Sequence, residues 1–345
     1  MASPSEQTIL VTGANSYVAG HIIKLALEKG YYVRGTVRSE SSTAKVRDNF
    51  SDYAARLSFG IVPDIARPEL YESAFASPSA PITGVINVAA PFTLKVEDNR
   101  RDLLDPAIGG ATAVLEAAKR FGPSVRRVVN TSSFAAINDL GQGTRPGYTY
   151  SEKDWNPMGY EEAANADAVA AYCASKALAE RAMWDWVEAE KPTFTLATIN
   201  PPWVFGPHVG GLADTKHLNE SSHLLFSIIG AQDIPGFDFG GFVDVRVLAE
   251  AHLAAFEKDE AGGQRFLVGT QFNYQSVVDS VREDLPELKN RLPAGQPGTK
   301  PVAYAIDGSK AEKVLGISYI PLSESMKDSF QEFLDVEKRT VEASA

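Results

Sequence analysis

Tyr172 and Lys176 stand four residues apart in Ala168–Glu190, a stretch that reads as one long helix. That spacing places both side chains on one helix face. Only one of the twelve tyrosines is followed by a lysine at this distance. An ammonium held beside a phenol stabilises the phenolate, so Lys176 is expected to lower the Tyr172 pKa and make it a usable acid near neutral pH. Upstream, Thr131-Ser132-Ser133 follows the apolar run Arg127–Thr131. A hydroxyl there, that of Ser133, could hydrogen-bond a carbonyl oxygen and steady the charge developing on it. The three residues suit proton transfer at a carbonyl.

A second constellation supplies a reason for such chemistry. The first apolar run ends in Thr12-Gly13-Ala14-Asn15-Ser16-Tyr17-Val18-Ala19 and passes straight into a helical pattern. A tight strand-to-helix turn aims backbone N–H groups and the helix dipole at a pyrophosphate, and small residues at 13, 16 and 19 permit the close approach. Only Gly13 of these is glycine, so the turn alone could be an ordinary strand–helix connection. At the end of the second strand pattern stands Arg38, followed by Ser39, Glu40, Ser41 and Ser42. An acidic residue at that point favours the ribose hydroxyl of NAD, whereas a guanidinium accommodates the 2′-phosphate of NADP. The expected cofactor is therefore NADP (NADPH), with NAD less favoured.

These residues need a scaffold that brings distant strand ends together. Strand patterns at Thr8–Val11, Tyr31–Val37, Leu57–Val62, Gly84–Val88, Arg127–Thr131 and Phe194–Ile199 alternate with helical ones at Val18–Glu28, Ala107–Phe121 and Ala168–Glu190. Such alternation predicts an α/β fold: a Rossmann-type doubly wound parallel sheet with a smaller C-terminal substrate lobe. The pattern lapses in the Gly- and Pro-rich stretch Pro201–Phe242, then resumes with a helix at Val243–Glu257 and a strand at Gln264–Val268. The expected division is a nucleotide-binding domain of residues 1–200 and 243–268, and a lobe of residues 201–242 and 269–345. A last helix is expected at Leu322–Glu337.

Composition narrows the partners. A net charge of −11 without a basic cluster argues against nucleic acid and anionic membranes. Apolar runs fall well short of the roughly 20 residues that cross a bilayer. The single cysteine, Cys173, and a short polar start (Met1–Gln7) predict a reducing, cytoplasmic location without a secretion signal. His21, His208, His217, His223 and His252 show no ligand spacing, and no metal is expected.

Taken together, these motifs resemble the extended short-chain dehydrogenase/reductases, most closely the branch of dihydroflavonol reductases, cinnamoyl-CoA reductases and fungal carbonyl or methylglyoxal reductases. Matching stretches are Val11–Ala19, Val33–Ser39, Pro63-Asp64-Ile65, Ala89–Phe92, Leu103–Gly110, Thr131–Ser133, Tyr172–Glu180 (YCASKALAE), Asn200–Pro207 (NPPWVFGP) and Phe242–Leu253. The resemblance covers most of the first 255 residues in order. It implies that Ser133 polarises the substrate carbonyl, Tyr172 donates the proton, and Lys176 binds the nicotinamide ribose. Besides the turn residues and Arg38, it places Asp64 and Ile65 at the adenine, Ala89, Ala90 and Thr131 along the cofactor, and Pro201 with Val204 at the nicotinamide. Phe92, Phe134, Pro202 and Trp203 are expected to wall the substrate site; core packing is their alternative. Four positions depart from the pattern: Ser16 for a glycine, Ser42 for a lysine, Asn87 for a histidine and Ala113 for an asparagine.

The implied activity is reduction of a small neutral aldehyde or ketone. Nucleotide-sugar epimerisation or dehydration uses the same fold, but a diphosphate substrate needs cations, and between Pro201 and Val245 the only one is Lys216. Acyl-CoA reduction is a nearer alternative, although Ala168-Val169-Ala170-Ala171 lacks the Asn-Trp-Tyr signature of those enzymes. A non-catalytic NADP-binding regulator remains the alternative outside enzymology.

Overall fold

The computed structural model describes residues 3–76, 79–90 and 96–342. Its strands are β1 (Thr8–Val11), β2 (Tyr32–Val37), β3 (Leu57–Ile61), β4 (Ile82–Asn87), β5 (Arg127–Thr131), β6 (Thr149–Tyr150), β7 (Thr195–Asn200), β8 (Trp203–Phe205), β9 (Gly241–Asp244), β10 (Gln264–Leu267), β11 (Thr270–Gln271) and β12 (Ala305–Ile306). The α-helices are α1 (Tyr17–Glu28), α2 (Ala44–Asn49), α3 (Glu72–Phe75), α4 (Asp105–Phe121), α5 (Tyr160–Ala164), α6 (Ala168–Glu190), α7 (Glu220–Phe226), α8 (Val245–Glu257), α9 (Tyr274–Asp284), α10 (Ser309–Leu315) and α11 (Leu322–Glu342).

Seven strands form one sheet in the order β10-β7-β5-β4-β1-β2-β3, and every neighbouring pair is parallel. Both faces of the sheet are covered, which is why its central strands are continuous apolar runs; all four residues of β1 are buried. Helices α1 and α8 pack together in one apolar core, and α4 packs with α6 beside another. Strand order reverses between β1 and β4, so the crevice beyond their carboxyl ends is the expected ligand position in this fold. The segments after β1, β2, β4, β5 and β7 all leave from that edge. Together with the segment after β3, which carries Asp64 and Ile65, they hold the candidate residues from Gly13 to Val204, and α6 brings Tyr172 and Lys176 to them.

A further apolar core joins Phe205, Leu225 and Phe242 to Phe272, Val277, Phe330 and Phe333. It draws on both chain segments that flank α8 and β10. The stretch expected to be irregular, Pro201–Phe242, contains α7, the three-residue strand β8 and the start of β9. These elements are too short to impose a period on the sequence, and β8 pairs with β9 in a small separate sheet. Ala311, Leu315 and Ile317, around α10, pack into the core of the large sheet rather than into this further core. Among the described residues, no helix is long and apolar enough to cross a membrane.

Candidate active site

The turn after β1 is built for close approach. Gly13 has φ +65°, and a Cβ there would lie 3.3 Å from Ala89, so glycine is required. Ser16 has φ −86° and ordinary extended geometry at the N-cap of α1. Serine therefore fits without strain, and its departure from glycine does not deform the turn. Asn15 and Ser16 are exposed, while Val18 packs against the large core. Tyr17 reaches away from the turn: its hydroxyl donates to the Gly206 carbonyl (2.7 Å), and its ring lies 4.6 Å from that of His208.

Three strand ends are joined by a buried polar chain. Thr12 Oγ1 donates to Asn87 Oδ1 (2.7 Å) and accepts from the backbone N–H groups of Val88 and Ala89 (3.0 Å each). Asn87 Nδ2 in turn donates to Asn130 Oδ1 (2.8 Å). Asn87 thus fixes β4 between β1 and β5, a role that an amide performs with its own donor and acceptor. On β5, Thr131 Oγ1 lies 2.7 Å from His252 Nε2, while His252 Nδ1 lies 2.7 Å from the Leu248 carbonyl. Since a carbonyl can only accept, Nδ1 carries the ring proton and Nε2 accepts from Thr131. Burial pushes the His252 pKa down to about 4, which keeps it neutral.

Ser133 caps the short turn Phe134–Ala136, accepting from the Ala135 N–H at 3.1 Å. That turn packs against α6, and so the serine is held beside the tyrosine-bearing helix. Lys176 Nζ lies 5.3 Å from the centre of the Tyr172 ring. Burial pushes the Lys176 pKa down to about 8. It pushes Tyr172 up to about 12, with smaller upward contributions from Cys173 and Glu220. The expected lowering of the tyrosine pKa is thus reversed, because burial is the largest influence and the named charges also raise it. A small cavity of about 30 Å³ is lined by Lys176 together with Ala89, Ala90, Asn130, Thr131 and Glu180.

The remaining cofactor candidates surround the same edge. Arg38 is exposed and has no ion pair among the described residues; it is placed to receive an anion. Ser39 gathers Ser41 and Ser42 through hydroxyl contacts of 2.9 and 3.0 Å. Asp64 accepts from the Ala66 N–H, and Ile65 packs on the α4 side of the sheet. Pro201 is buried with its carbonyl bonded to the Phe134 N–H (2.8 Å), and Val204 packs against the large core. A turn that only glycine fits, an exposed guanidinium after β2 and a lysine in the crevice fit an NADP molecule laid across the strand ends.

The substrate walls divide. Phe92 lies outside the described residues. Phe134 is wholly buried among Ile137, Tyr150, Leu267 and Tyr304, so it is a packing residue and not an exposed wall. Pro202 presses on the backbone at Gly241 and Gly269. Trp203 is half-buried, with Nε1 3.2 Å from both carboxylate oxygens of Asp238 and its ring 5.9 Å from Phe239. Asp238 and Phe239 also line a larger cavity of about 440 Å³, with Phe237, Tyr274, Gln275 and Lys300. That cavity does not include Ser133, Tyr172 or Lys176, and of these three only Lys176 lines the smaller one. Sequence reading missed Thr12, Asn130, Asn200, Glu180 and Arg265. Four of these five are polar residues in or just after strands, and Asn at the last turn-facing position of a buried strand was the available signal.

This geometry defines a Rossmann-type nucleotide-dependent enzyme with a tyrosine–lysine pair. Residues 9–269 match the model of the NAD dependent epimerase/dehydratase family, and the chain belongs to that family. It is 36% identical to the NADPH-dependent methylglyoxal reductase GRE2 of Saccharomyces cerevisiae, over 96% of this chain and 99% of the relative. It is 34% identical to the cinnamoyl-CoA reductase CAD2 of Medicago truncatula, over 94% of each. The crystal structure of yeast methylglyoxal/isovaleraldehyde reductase Gre2 complexed with NADPH superposes with a TM-score of 0.90 at 36% identity, covering 96% of this chain and 99% of that one.

Proposed function

We propose that this protein is an NADPH-dependent reductase of small neutral aldehydes or ketones, with Ser133, Tyr172 and Lys176 as its catalytic residues. The observation that carries the reading is the Tyr172–Lys176 pair on α6, against which the turn capped by Ser133 packs at the carboxyl edge of the sheet. The nicotinamide supplies the hydride when the cofactor is bound. Ser133 holds the carbonyl oxygen through its hydroxyl. Tyr172, protonated because burial holds its pKa near 12, gives its phenolic proton to that oxygen as negative charge develops there. Lys176, charged below about pH 8, stabilises the resulting phenolate and holds the cofactor ribose. Gly13, Asn15 and Ser16 form the pyrophosphate turn, Tyr17 and Val18 open the helix that follows it, and Arg38 takes the 2′-phosphate.

The substrate is neutral and at least partly apolar. Phe237, Phe239 and Tyr274 supply aromatic walls around the larger cavity, while Lys300 and Asp238 contribute one charge of each sign; Trp203 meets Phe239 edge-on beside it. We assign residues 201–242 and 269–345, apart from the α10 region that packs on the sheet, to the substrate lobe. The single buried cysteine suits a reducing compartment, the cytoplasm.

The test is NADPH oxidation by the purified protein against aldehydes, ketones, diketones and an acyl-CoA thioester, with NADH in parallel. Turnover of aldehydes or ketones with NADPH is expected. Binding of NADPH without turnover of any substrate would identify a regulator, and preferential stabilisation by a UDP-sugar would redirect the reading to epimerisation.

A further inference from the structure

Glu180 is the last residue of the YCASKALAE segment and has no part in the chemistry above. It lies two helical turns beyond Tyr172 and one beyond Lys176, at i+8 and i+4, on the same side of α6. Its side chain is completely buried. Ser132 Oγ (2.5 Å) and Asn200 Nδ2 (2.6 Å) donate to its Oε2. Thr198 Oγ1 (2.8 Å), Arg265 Nε (2.7 Å) and Trp184 Nε1 (3.3 Å) donate to its Oε1. Two carboxylate oxygens offer about four lone-pair sites, so this carboxylate is saturated with donors.

The donors come from elements that the active site needs in register. Ser132 precedes Ser133 at the end of β5. Asn200 ends β7 just before Pro201, and its Nδ2 also reaches the Ser133 carbonyl at 3.2 Å. Arg265 lies on β10, one of the two edge strands of the sheet. Its Nη1 donates to the carbonyls of Glu152 (2.5 Å) and Asp154 (2.9 Å), and its guanidinium stacks 3.5 Å from the Trp155 ring centre. Burial pushes the Glu180 carboxyl upward more than any other single influence, yet Arg265, Ser132 and Asn200 together hold it below its ordinary range. The group is therefore a fixed anion. Glu180 forms no ion pair with Lys176 among the described residues, so the lysine's charge is not consumed within the helix.

We propose that Glu180 is a positioning residue for carbonyl reduction, clamping the Ser132–Ser133 strand end and Asn200 to the helix that carries Tyr172 and Lys176. A hydroxyl that polarises a carbonyl must sit within about half an ångström of its productive place. A single carboxylate bonded to the serine's neighbour, to the amide that holds the serine's carbonyl, and to the helix of the proton donor sets that place. Arg265 supplies the counter-charge that makes a buried carboxylate tolerable. This inference rests on the assignment of Ser133, Tyr172 and Lys176 made above.

The experiment compares Glu180→Gln and Ser132→Ala with wild type, and counts active sites by NADPH fluorescence titration. Turnover is then expressed per NADPH-binding site. Glu180→Gln is expected to lower kcat at least tenfold per site, with the NADPH Kd within about twofold of wild type. Ser132→Ala, which removes one donor and no charge, should lower kcat severalfold with the same unchanged Kd. A purely structural role would reduce the number of sites and leave kcat per site unchanged; that result overturns the inference. If Glu180→Gln does not fold, Ser132→Ala decides alone, and kcat per site within a factor of 1.5 of wild type (about 0.2 kcal/mol) overturns it. Ser133→Ala and Tyr172→Phe run beside them: if those two retain turnover, the catalytic assignment itself has failed, whereas their loss with Glu180→Gln and Ser132→Ala fully active rejects only the clamp.

Discussion

Lys176 Nζ sits 5.3 Å from the centre of the Tyr172 ring, one helical turn along α6. The two groups are displaced in opposite directions by the same burial, the phenol up to about 12 and the ammonium down to about 8. Both displacements favour the neutral forms. For a reductase this is useful: the acid stays protonated across the physiological range, and the cation that will stabilise its conjugate base titrates close to it.

Removing the acid should therefore be costly and selective. Tyr172→Phe keeps the ring against Lys176 and deletes only the hydroxyl. General acid catalysis contributes roughly 10²–10⁴-fold, and kcat is expected to fall by at least 10²-fold while the NADPH Kd changes by less than about threefold. Steady-state kinetics together with fluorescence titration check both quantities.

The pH dependence follows from Lys176. Its pKa in the free protein is lowered to about 8 by burial, so the charged form is present below that pH and lost above it. The ratio kcat/KM for NADPH reports groups in the free enzyme. It should be flat well below pH 8 and decline as pH rises through about 8. Tyr172 adds no limb in this range, since it deprotonates only near 12. A profile that instead rises through pH 8 would contradict the roles given to the two residues.

Much of this was readable beforehand because it depends on local spacing. The strands β1 and β5 and the helix α6 begin and end where the apolar pattern does, and Tyr172 and Lys176 needed only an i, i+4 rule. The direction of the Tyr172 shift was not readable, since it is set by burial that only tertiary packing produces. Phe134 was misplaced for the same reason: an aromatic after a catalytic serine looks the same in sequence whether it faces a cavity or, as here, a core with Tyr150 and Tyr304. The Glu180 network escaped because its members, Ser132, Thr198, Asn200 and Arg265, are up to 133 residues apart and meet only through the pairing of β5, β7 and β10.

Cofactor choice should depend on Arg38. The side chain is exposed and not engaged in an ion pair among the described residues, so its replacement leaves no partner stranded and should hardly affect folding. A charge-assisted hydrogen bond contributes about 1.5–3 kcal/mol, equivalent to roughly 10–150-fold. Arg38→Ala should raise the KM for NADPH by at least about tenfold and leave the KM for NADH within about twofold. Equal losses with both cofactors would mean that Arg38 does not read the 2′-phosphate.

Stability should be most sensitive at the other end of the clamp. Arg265 and Glu180 are paired at 2.7 Å, with side-chain exposures of 11% and 0%. Arg265→Met keeps much of the length and packing but leaves the Glu180 carboxylate without its counter-charge. Breaking a buried pair in this way costs about 3–5 kcal/mol, a fall in Tm on the order of 10 °C. In the wild type, the Glu180 pKa lies below its unfolded value, so the pair stabilises above the ordinary carboxyl range, near pH 4–5, and that contribution is lost as pH falls through the lowered pKa. In Arg265→Met, burial is opposed only by the hydrogen bonds from Ser132 and Asn200 and the carboxyl pKa rises above its wild-type position, so protonation relieves part of the penalty. The gap in Tm between wild type and variant is therefore widest near neutral pH and narrows on acidification, which thermal denaturation across a pH series will measure; a gap independent of pH would show that packing against Trp155, and not charge, is what Arg265 provides.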